Sequence, residues 1–518
     1  MPSTHSTDVL PRPTGNSAFS TREVRSIVIG LMLAILLGAL DQTIVSVSLP
    51  LMAADLHGVG LLAWVVSGYL ITVAVVTPIY GKLGDLYGRR VMLSSAIGIF
   101  LVASTACALS TSMPMLVSSR ILQGVGGGGL ISVAQAAISD VVSPRERGLY
   151  QGYLSVAFAV ASVVGPLAGG LLTEFLSWRW VFWINLPLGA FALLISYRAL
   201  SRLPVPHIKR PIDYFGALLL IVGVTPLLIA FTRSGQGVPW LEHNNLLLFA
   251  MSAVTIAAFI RQEQRTEEPI IPLSILRNPI AALSCLIALL AFLQIISLSV
   301  LIPLRLQMLT NAGADGAAFQ LIPLSLAIPT GAYVAGRIMV RTGAYKPIQI
   351  VGTVITPLSI ALMAFVDVQA TFLNVVITTV VGLAIGLQLP TSTVAAQNAV
   401  PQRHLGIVTA INSFSRSLGA AMGVAILTAV LFAALQAHAP ASFAAIPGTD
   451  IIRQMVGSVG VPPDTAIRAQ LFGTATAAFK DVFLLSTLLA ALSIVVGFLV
   501  PAKPLSEKVP VADMSDSI

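Results

Sequence analysis

Gly81-Lys-Leu-Gly-Asp-Leu-Tyr-Gly-Arg-Arg90 is a short charged loop set between long apolar stretches. Its glycines permit a tight turn and a close approach of two helix ends. Asp85, Arg89 and Arg90 supply charge-assisted bonds across the ends of neighbouring helices. Such bonds would latch one face of a helical bundle in one state and break in another. The plainer reading is a basic anchor with a solvated Asp. The loop returns as Gly336-Arg-Ile-Met-Val-Arg-Thr-Gly343, again with glycines seven apart (343 − 336). The offset of 255 (336 − 81) is nearly repeated by Gly148 and Gly165 against Gly406 and Gly423, at 258 (406 − 148). Two offsets that agree this well point to a chain built from two similar halves.

The material between the loops says what kind of halves these are. The 518 residues are 56% hydrophobic and 10% charged, whereas soluble proteins carry about 25% charge. Mean hydropathy is +0.90. The expected fold class is an all-α integral membrane protein. At about 20 residues per crossing, the apolar segments predict fourteen spans. Six lie near 27–52, 61–80, 91–110, 114–138, 149–172 and 180–199. Two follow near 213–232 and 244–260. Six more lie near 280–309, 317–340, 348–367, 371–397, 405–436 and 480–501. The plan is a tail at 1–26, a six-helix bundle at 27–200, two inserted helices at 201–265, a second bundle at 266–501 and a tail at 502–518. The repeat makes the two bundles parallel, related about an axis along the membrane normal. Within the second bundle, 437–479 reads as a long outer loop holding Pro440, Pro447, Pro462 and Pro463. It is either a cap over the pore or a flexible excursion.

Most of the 29 Lys and Arg residues fall on one side of this plan, including Lys82, Arg89, Arg90, Arg145, Arg147, Arg198 and Arg202. Basic loops stay inside, so both tails are expected in the cytoplasm and the protein in a cell (inner) membrane. The net charge of +8 is explained by these loops and gives no argument for nucleic acid. The first 26 residues are polar, and the apolar stretch after them is too long for a signal-peptide core. Cys107 and Cys285 both sit inside apolar segments and suggest neither a disulfide framework nor a metal site. No phosphate loop occurs, and the six histidines are scattered, so an ATP-driven pump, an enzyme or a cofactor is not expected.

Asp41 interrupts a run, Ile27 to Met52, that has no other ionisable side chain. Placing an acid there costs about 2.5–3.5 kcal/mol on insertion scales, and such residues commonly carry a proton or cation. Arg120 is as costly unless paired. Counted at 1.5 Å per residue, Arg120 lies about 9 Å and Asp41 about 14 Å from the outer ends of their spans, at similar depth. A carboxyl holds its proton loosely beside a guanidinium and firmly when that partner leaves. That suits proton coupling; the alternative is a static pair joining two helices. Gly124 and Gly126 to Gly129 follow Arg120 on the same span and predict close packing with some flexibility. Gly165-Pro166-Leu-Ala-Gly169-Gly170 in the fifth span removes one backbone bond and permits a kink.

With these residues in view the chain resembles the major facilitator superfamily, whose signature after the second helix is matched by Gly81–Arg90. Leu40-Asp41-Gln-Thr-Ile-Val-Ser46-Val-Ser-Leu-Pro50 is similar to the first-helix signature of the fourteen-helix drug:proton antiporters (EmrB/QacA type), with Ser46 in place of the usual Asn. Arg120-Ile-Leu-Gln123-Gly124 resembles the fourth-helix motif. Gly165 to Gly170 resembles the antiporter motif, with Ala161 where an earlier Gly is typical. Trp178-Arg-Trp-Val-Phe-Trp-Ile-Asn185-Leu-Pro187 fits the start of the sixth helix. The resemblance spans about 27–501, apart from 437–479. It implies a proton-coupled role for Arg120, a fifth helix that packs the centre and limits leak, and proton-driven multidrug efflux.

The second half holds mostly neutral polar residues. Gln294, Gln388, Asn412 and Arg416 are candidate cavity residues that would accept a neutral or anionic group; helix–helix hydrogen bonding is the plainer role for each. No acid is buried in the last six spans, so Asp41 stands alone as the coupling carboxylate. The expected partners are a small-molecule substrate, protons, the bilayer and, in a two-membrane bacterium, a periplasmic adaptor. The expected function is antiport of amphipathic molecules by alternating access. A dedicated exporter of a lipid, siderophore or antibiotic, proton-coupled uptake and a non-transporting receptor remain as alternatives.

Overall fold

The computed structural model describes residues 20–203, 211–310, 320–440, 446–456 and 465–506. All regular structure among them is helical. The first bundle holds α1 (Thr21–Asp55), α2 (Leu62–Tyr87), α3 (Arg89–Ala108), α4 (Met113–Val141), α5 (Pro144–Phe175), and a sixth span made of α6 (Trp180–Trp183) and α7 (Asn185–Ala199). The inserted pair is α8 (Tyr214–Gly235) and α9 (His243–Glu263). After a short α10 (Leu273–Arg277), the second bundle holds α11 (Pro279–Leu309), α12 (Ile322–Thr342), α13 (Lys346–Met363), α14 (Thr371–Asn398), α15 (Leu405–His438), α16 (Gly448–Val456) and α17 (Thr465–Leu499). Thirteen of these segments are long and apolar enough to cross a membrane. The expected span near 317–340 is α12, which is less apolar, carries Arg337 and Arg341 near its end, and still holds its place in the bundle.

Helix starts follow local chemistry. Ser20 caps α1 in a box with Glu23, Ser112 caps α4 and Asn278 caps α11. Each cap satisfies amides that the first turn leaves free. Prolines stand at the first turn of α4, α5, α11, α12 and α13, where the missing N–H costs nothing. The sequence boundaries fall short at several ends. The last span begins at Thr465, so residues 465–479 are its first four turns rather than loop. Within the remaining outer segment Gly448–Val456 forms α16; 441–445 and 457–464 lie outside the described residues.

The halves meet through exchanged elements. α2 packs along α15, and α5 packs along α12. These are the second and fifth spans of each half, each against its opposite number, as a twofold repeat demands. The repeated glycines sit at these crossings. A Cβ on Gly81 would stand 2.9 Å from the Gly406 carbonyl oxygen, and one on Gly336 would stand 2.6 Å from that of Gly148. The inserted α8 lies against α2 and α15, beside one crossing. α9 buries only Asn245, Ser252, Phe259 and Glu263, a single stripe. Its face towards α8 is tied by Ser252 Oγ donating to the Gly223 carbonyl at 2.7 Å.

Candidate functional site

Asp41 and Arg120 meet in the interior of the first bundle. Arg120 Nη1 donates to Asp41 Oδ2 at 2.6 Å. Asp41 is fully buried and Arg120 is 1% exposed. The pair is enclosed by neutral groups from α2, α3, α4 and the sixth span. Gln123 Nε2 and Asn185 Nδ2 donate to Asp41 Oδ1 at 3.0 and 2.8 Å. Arg120 also donates to Gln123 Oε1 at 2.8 Å and to the Val65 carbonyl at 3.2 Å. Asn185 continues to Ser104 Oγ at 3.0 Å, and Ser104 donates to the Phe182 carbonyl at 2.9 Å. The guanidinium lies 4.2 Å from the Tyr69 ring centroid. The cluster therefore joins α1, α2, α3, α4 and the sixth span. An ion pair this deep repays its desolvation only when its remaining donors and acceptors are filled, and here three donors converge on one carboxylate.

The sequence motifs contained Gln123 and Asn185 but assigned them no role. The available signal was weak: Gln123 lies one turn beyond Arg120, and Asn185 is an amide in an apolar span. Only the fold shows that both end on Asp41.

Beside Asp41, α1 and α5 are in backbone contact. Thr43 Oγ1 donates to the Ala161 carbonyl at 2.9 Å, and Ser48 and Thr173 hydroxyls stand 2.7 Å apart. Gly165 leaves room for Thr43, and a Cβ on Gly169 would come within 2.8 Å of the Ile44 carbonyl. Gly170 meets nothing within 4 Å, and Pro166 is exposed, so neither takes part in this seam. The glycines of α4 do not interrupt it. The helix is continuous, and Gly124 and Gly126 to Gly129 let it sink against the backbones of α2 and α3.

The Gly81–Arg90 segment forms the closed end of the molecule. Gly88 has φ 85 and ψ 151, a conformation essentially reserved for glycine, and it separates α2 from α3. Asp85 accepts from the Gly406 and Ile407 amides at 3.0 and 2.9 Å. It thus caps α15 of the other half, where the helix dipole favours an anion. Arg89 links Asp85 at 2.5 Å and Asp140 at 2.8 Å. Arg90 does not join the latch; its guanidinium stacks 3.8 Å from the Tyr197 ring centroid. At the mirrored crossing, Arg145 donates to the Val340 and Arg341 carbonyls at 2.6 and 2.9 Å. Deeper in, Ser413 donates to Gln135 at 3.0 Å. Among the described residues, every side-chain hydrogen bond between the two bundles lies in the half of the molecule that carries both tails.

The second-half candidates separate into two groups. Gln294 is committed to Ser486, which it receives from at 2.6 Å while donating to the Ser486 carbonyl at 3.2 Å. Gln388 donates to Thr356 at 2.8 Å and to the Gly352 carbonyl at 3.1 Å. Both join helices within the bundle. Asn412 and Arg416 are less satisfied. Asn412 accepts from Thr393 at 3.1 Å, but among the described residues its Nδ2 and the Arg416 Nε have no hydrogen-bond partner. A cavity lies elsewhere, at the end away from the tails. It measures about 450 Å³ and is lined by Arg305, Phe365, Asp367, Phe472, Lys480 and Phe483 among others.

Residues 31–424 match the model of the Major Facilitator Superfamily. The chain is 32% identical over 407 residues to the multidrug transporter protein MdtP of Bacillus subtilis, covering 78% of this chain and 75% of that protein. It is 32% identical over 406 residues to multidrug resistance protein 3 of the same organism, covering 78% and 79%. The structure of the proton:xylose symporter XylE superposes with a TM-score of 0.59 at 15% identity, covering 95% of this chain and 99% of that one, which speaks for the fold alone. The exchanged helix crossings, the repeated glycine loops and this family match lead to one conclusion: the chain is a multi-pass membrane protein that belongs to the major facilitator superfamily.

Proposed function

We propose that this protein is a proton-coupled antiporter that exports small amphipathic molecules by alternating access. The observation that carries the reading is the sealed Asp41–Arg120–Gln123–Asn185 cluster set against the α1–α5 glycine seam. Multidrug transporters among its relatives support the export direction and the substrate range. Basic residues gathered at the tail end support cytoplasmic tails in a cell (inner) membrane. With the latch at that end closed, the state described here faces outward.

A proton arriving from outside neutralises Asp41 and weakens its hold on Arg120. α1 is then free to shift along Gly165 and Gly169, and the bundles rock until the Asp85 cap on α15 opens. Facing inward, Asp41 releases the proton as substrate enters. Each charge moved across the membrane is worth about 2.3 kcal/mol per 100 mV, enough to drive a substantial gradient. The test is pH-gradient-driven efflux of ethidium from proteoliposomes containing wild-type protein or Asp41→Asn. The wild type should respond to the gradient, and the variant should lose that response while remaining monodisperse in detergent. An unchanged response in the variant overturns the coupling assignment.

A further inference from the structure

We infer that Arg416 is the anion-recognising residue of the transport cavity, and that the protein binds amphipathic organic anions there through a carboxylate or sulfonate. This rests on the export reading above and names a substrate class for it. α15 turns about 100° per residue. On that spacing Arg416 falls between two faces. One carries Asn412 and Gly419, and Gly419 packs on the Leu289 backbone of α11. The other carries Ser413, which meets Gln135 of the first bundle. Arg416 therefore stands at the edge of the interface between the halves. It is eleven residues (416 − 405) from the start of α15, roughly 16 Å along the helix, near mid-membrane.

What surrounds it is neutral. Arg416 Nη2 donates to Thr393 Oγ1 and to the Leu389 carbonyl at 3.3 Å, and the guanidinium lies 5.5 Å from the Phe292 ring centroid. No carboxylate pairs with it among the described residues. Arg120, buried in the first bundle, has Asp41, and Arg147, buried near the start of α5, donates to the Ser139 carbonyl at 2.9 Å. An uncompensated cation inside a membrane protein is costly and marks a ligand path. Its Nε, that of Arg416, is buried and has no hydrogen-bond partner among the described residues. A carboxylate or sulfonate would fill this donor once the halves part, since a guanidinium fork binds such groups through paired hydrogen bonds. Asn412, on a side chain 1% exposed, has only the Cys285 thiol beside its Nδ2, a weak acceptor that leaves this amide available as a second donor. Phe292 offers apolar surface for the rest of the ligand.

Cys285 reports on this site because its thiol lies beside Asn412, Ser415 and Arg416. Purified full-length protein is treated with N-ethylmaleimide, and adducts at Cys285 and Cys107 are read separately by peptide mass spectrometry. Cys107 belongs to the other bundle and serves as the internal control. Carboxyfluorescein at ten times its Kd should slow Cys285 labelling about tenfold by mass action, with no effect at Cys107. Ethidium at the same concentration should not slow it. Arg416→Gln should raise the carboxyfluorescein concentration needed for half-protection by about 10- to 100-fold, as expected for loss of a charged hydrogen-bond pair. Arg416→Lys, which keeps the charge but not the paired fork, should fall between the two. Circular dichroism and thermal unfolding check that both variants fold. Protection by ethidium equal to that by carboxyfluorescein overturns the assignment, as does protection unchanged in Arg416→Gln. Ethidium efflux driven by a pH gradient, without any carboxyfluorescein protection, leaves the export reading standing and removes the anion site. Protection without driven efflux does the reverse.

Discussion

Asp41 and Arg120 hold each other in place at the cost of two buried charges. Removing one partner of such a pair typically costs about 3–5 kcal/mol because it strands the other. Asp41→Asn and Arg120→Gln should therefore each lower the melting temperature. The double variant should recover much of the loss, since no unpaired charge remains. Thermal unfolding in detergent measures this, and additive losses would show that the pair is not coupled. Asn185→Ala should cost less, about 1–3 kcal/mol, because it leaves Asp41 one donor short and Ser104 without its amide. The candidate pair was legible from sequence because charges are rare in apolar spans. Its amide partners were not, because an isolated Gln or Asn in a span has many possible neighbours.

At the scale of elements, the repeated loops end on glycines for related but unequal reasons. Gly88 adopts φ 85 with ψ 151, while Gly343 adopts the ordinary left-handed cap at φ 66 and ψ 15. A side chain is excluded more strongly from the first conformation than from the second. Gly88→Ala should destabilise by about 1–3 kcal/mol and Gly343→Ala by about 1–2 kcal/mol, with the larger fall in melting temperature at Gly88. The seam between α1 and α5 makes a sharper demand. Gly169→Val should block helix approach beside Asp41 and lower transport more than Gly170→Val, whose site is open. Equal losses in an efflux assay would contradict this ordering. The sequence placed these glycines on one span but could not say which of them face α1.

For the whole molecule, the tail end is held by two latches of opposite polarity. Asp85 caps the start of α15, and Arg145 caps the end of α12. Each uses a charge from the first half against the backbone of the second. A charge-assisted hydrogen bond contributes about 1.5–3 kcal/mol, so losing one shifts a two-state equilibrium by about 10- to 100-fold. Asp85→Ala should raise the reactivity of a cysteine placed at Ser413 towards a membrane-impermeant thiol reagent applied from the tail side. Arg145→Ala should do the same, and the double variant more so. A cysteine that stays equally protected in all three would show that the latches do not hold the closed state.

Composition and apolar spacing determined the membrane class, the two-bundle plan and the inserted pair, because these depend on periodicities along one chain. The motif-bearing segments, expected as loops, are the last turns of α2 and α12. The glycine echoes even located the crossings between halves, since close backbone approach requires glycine wherever it occurs. Helix ends were less legible. Amphipathic turns such as 465–479 are not apolar enough to read as span, and are helical because α17 packs along its neighbours. The tertiary structure alone decided which polar groups meet. Asn185 lies 144 residues from Asp41 in sequence (185 − 41), yet 2.8 Å from it in space. Gln294 lies 192 residues from Ser486 (486 − 294) and is spent on it, whereas Arg416 has no counter-charge among the described residues. Hydrogen bonding is short-ranged and directional, so a linear pattern shows which groups need partners, and only packing chooses them.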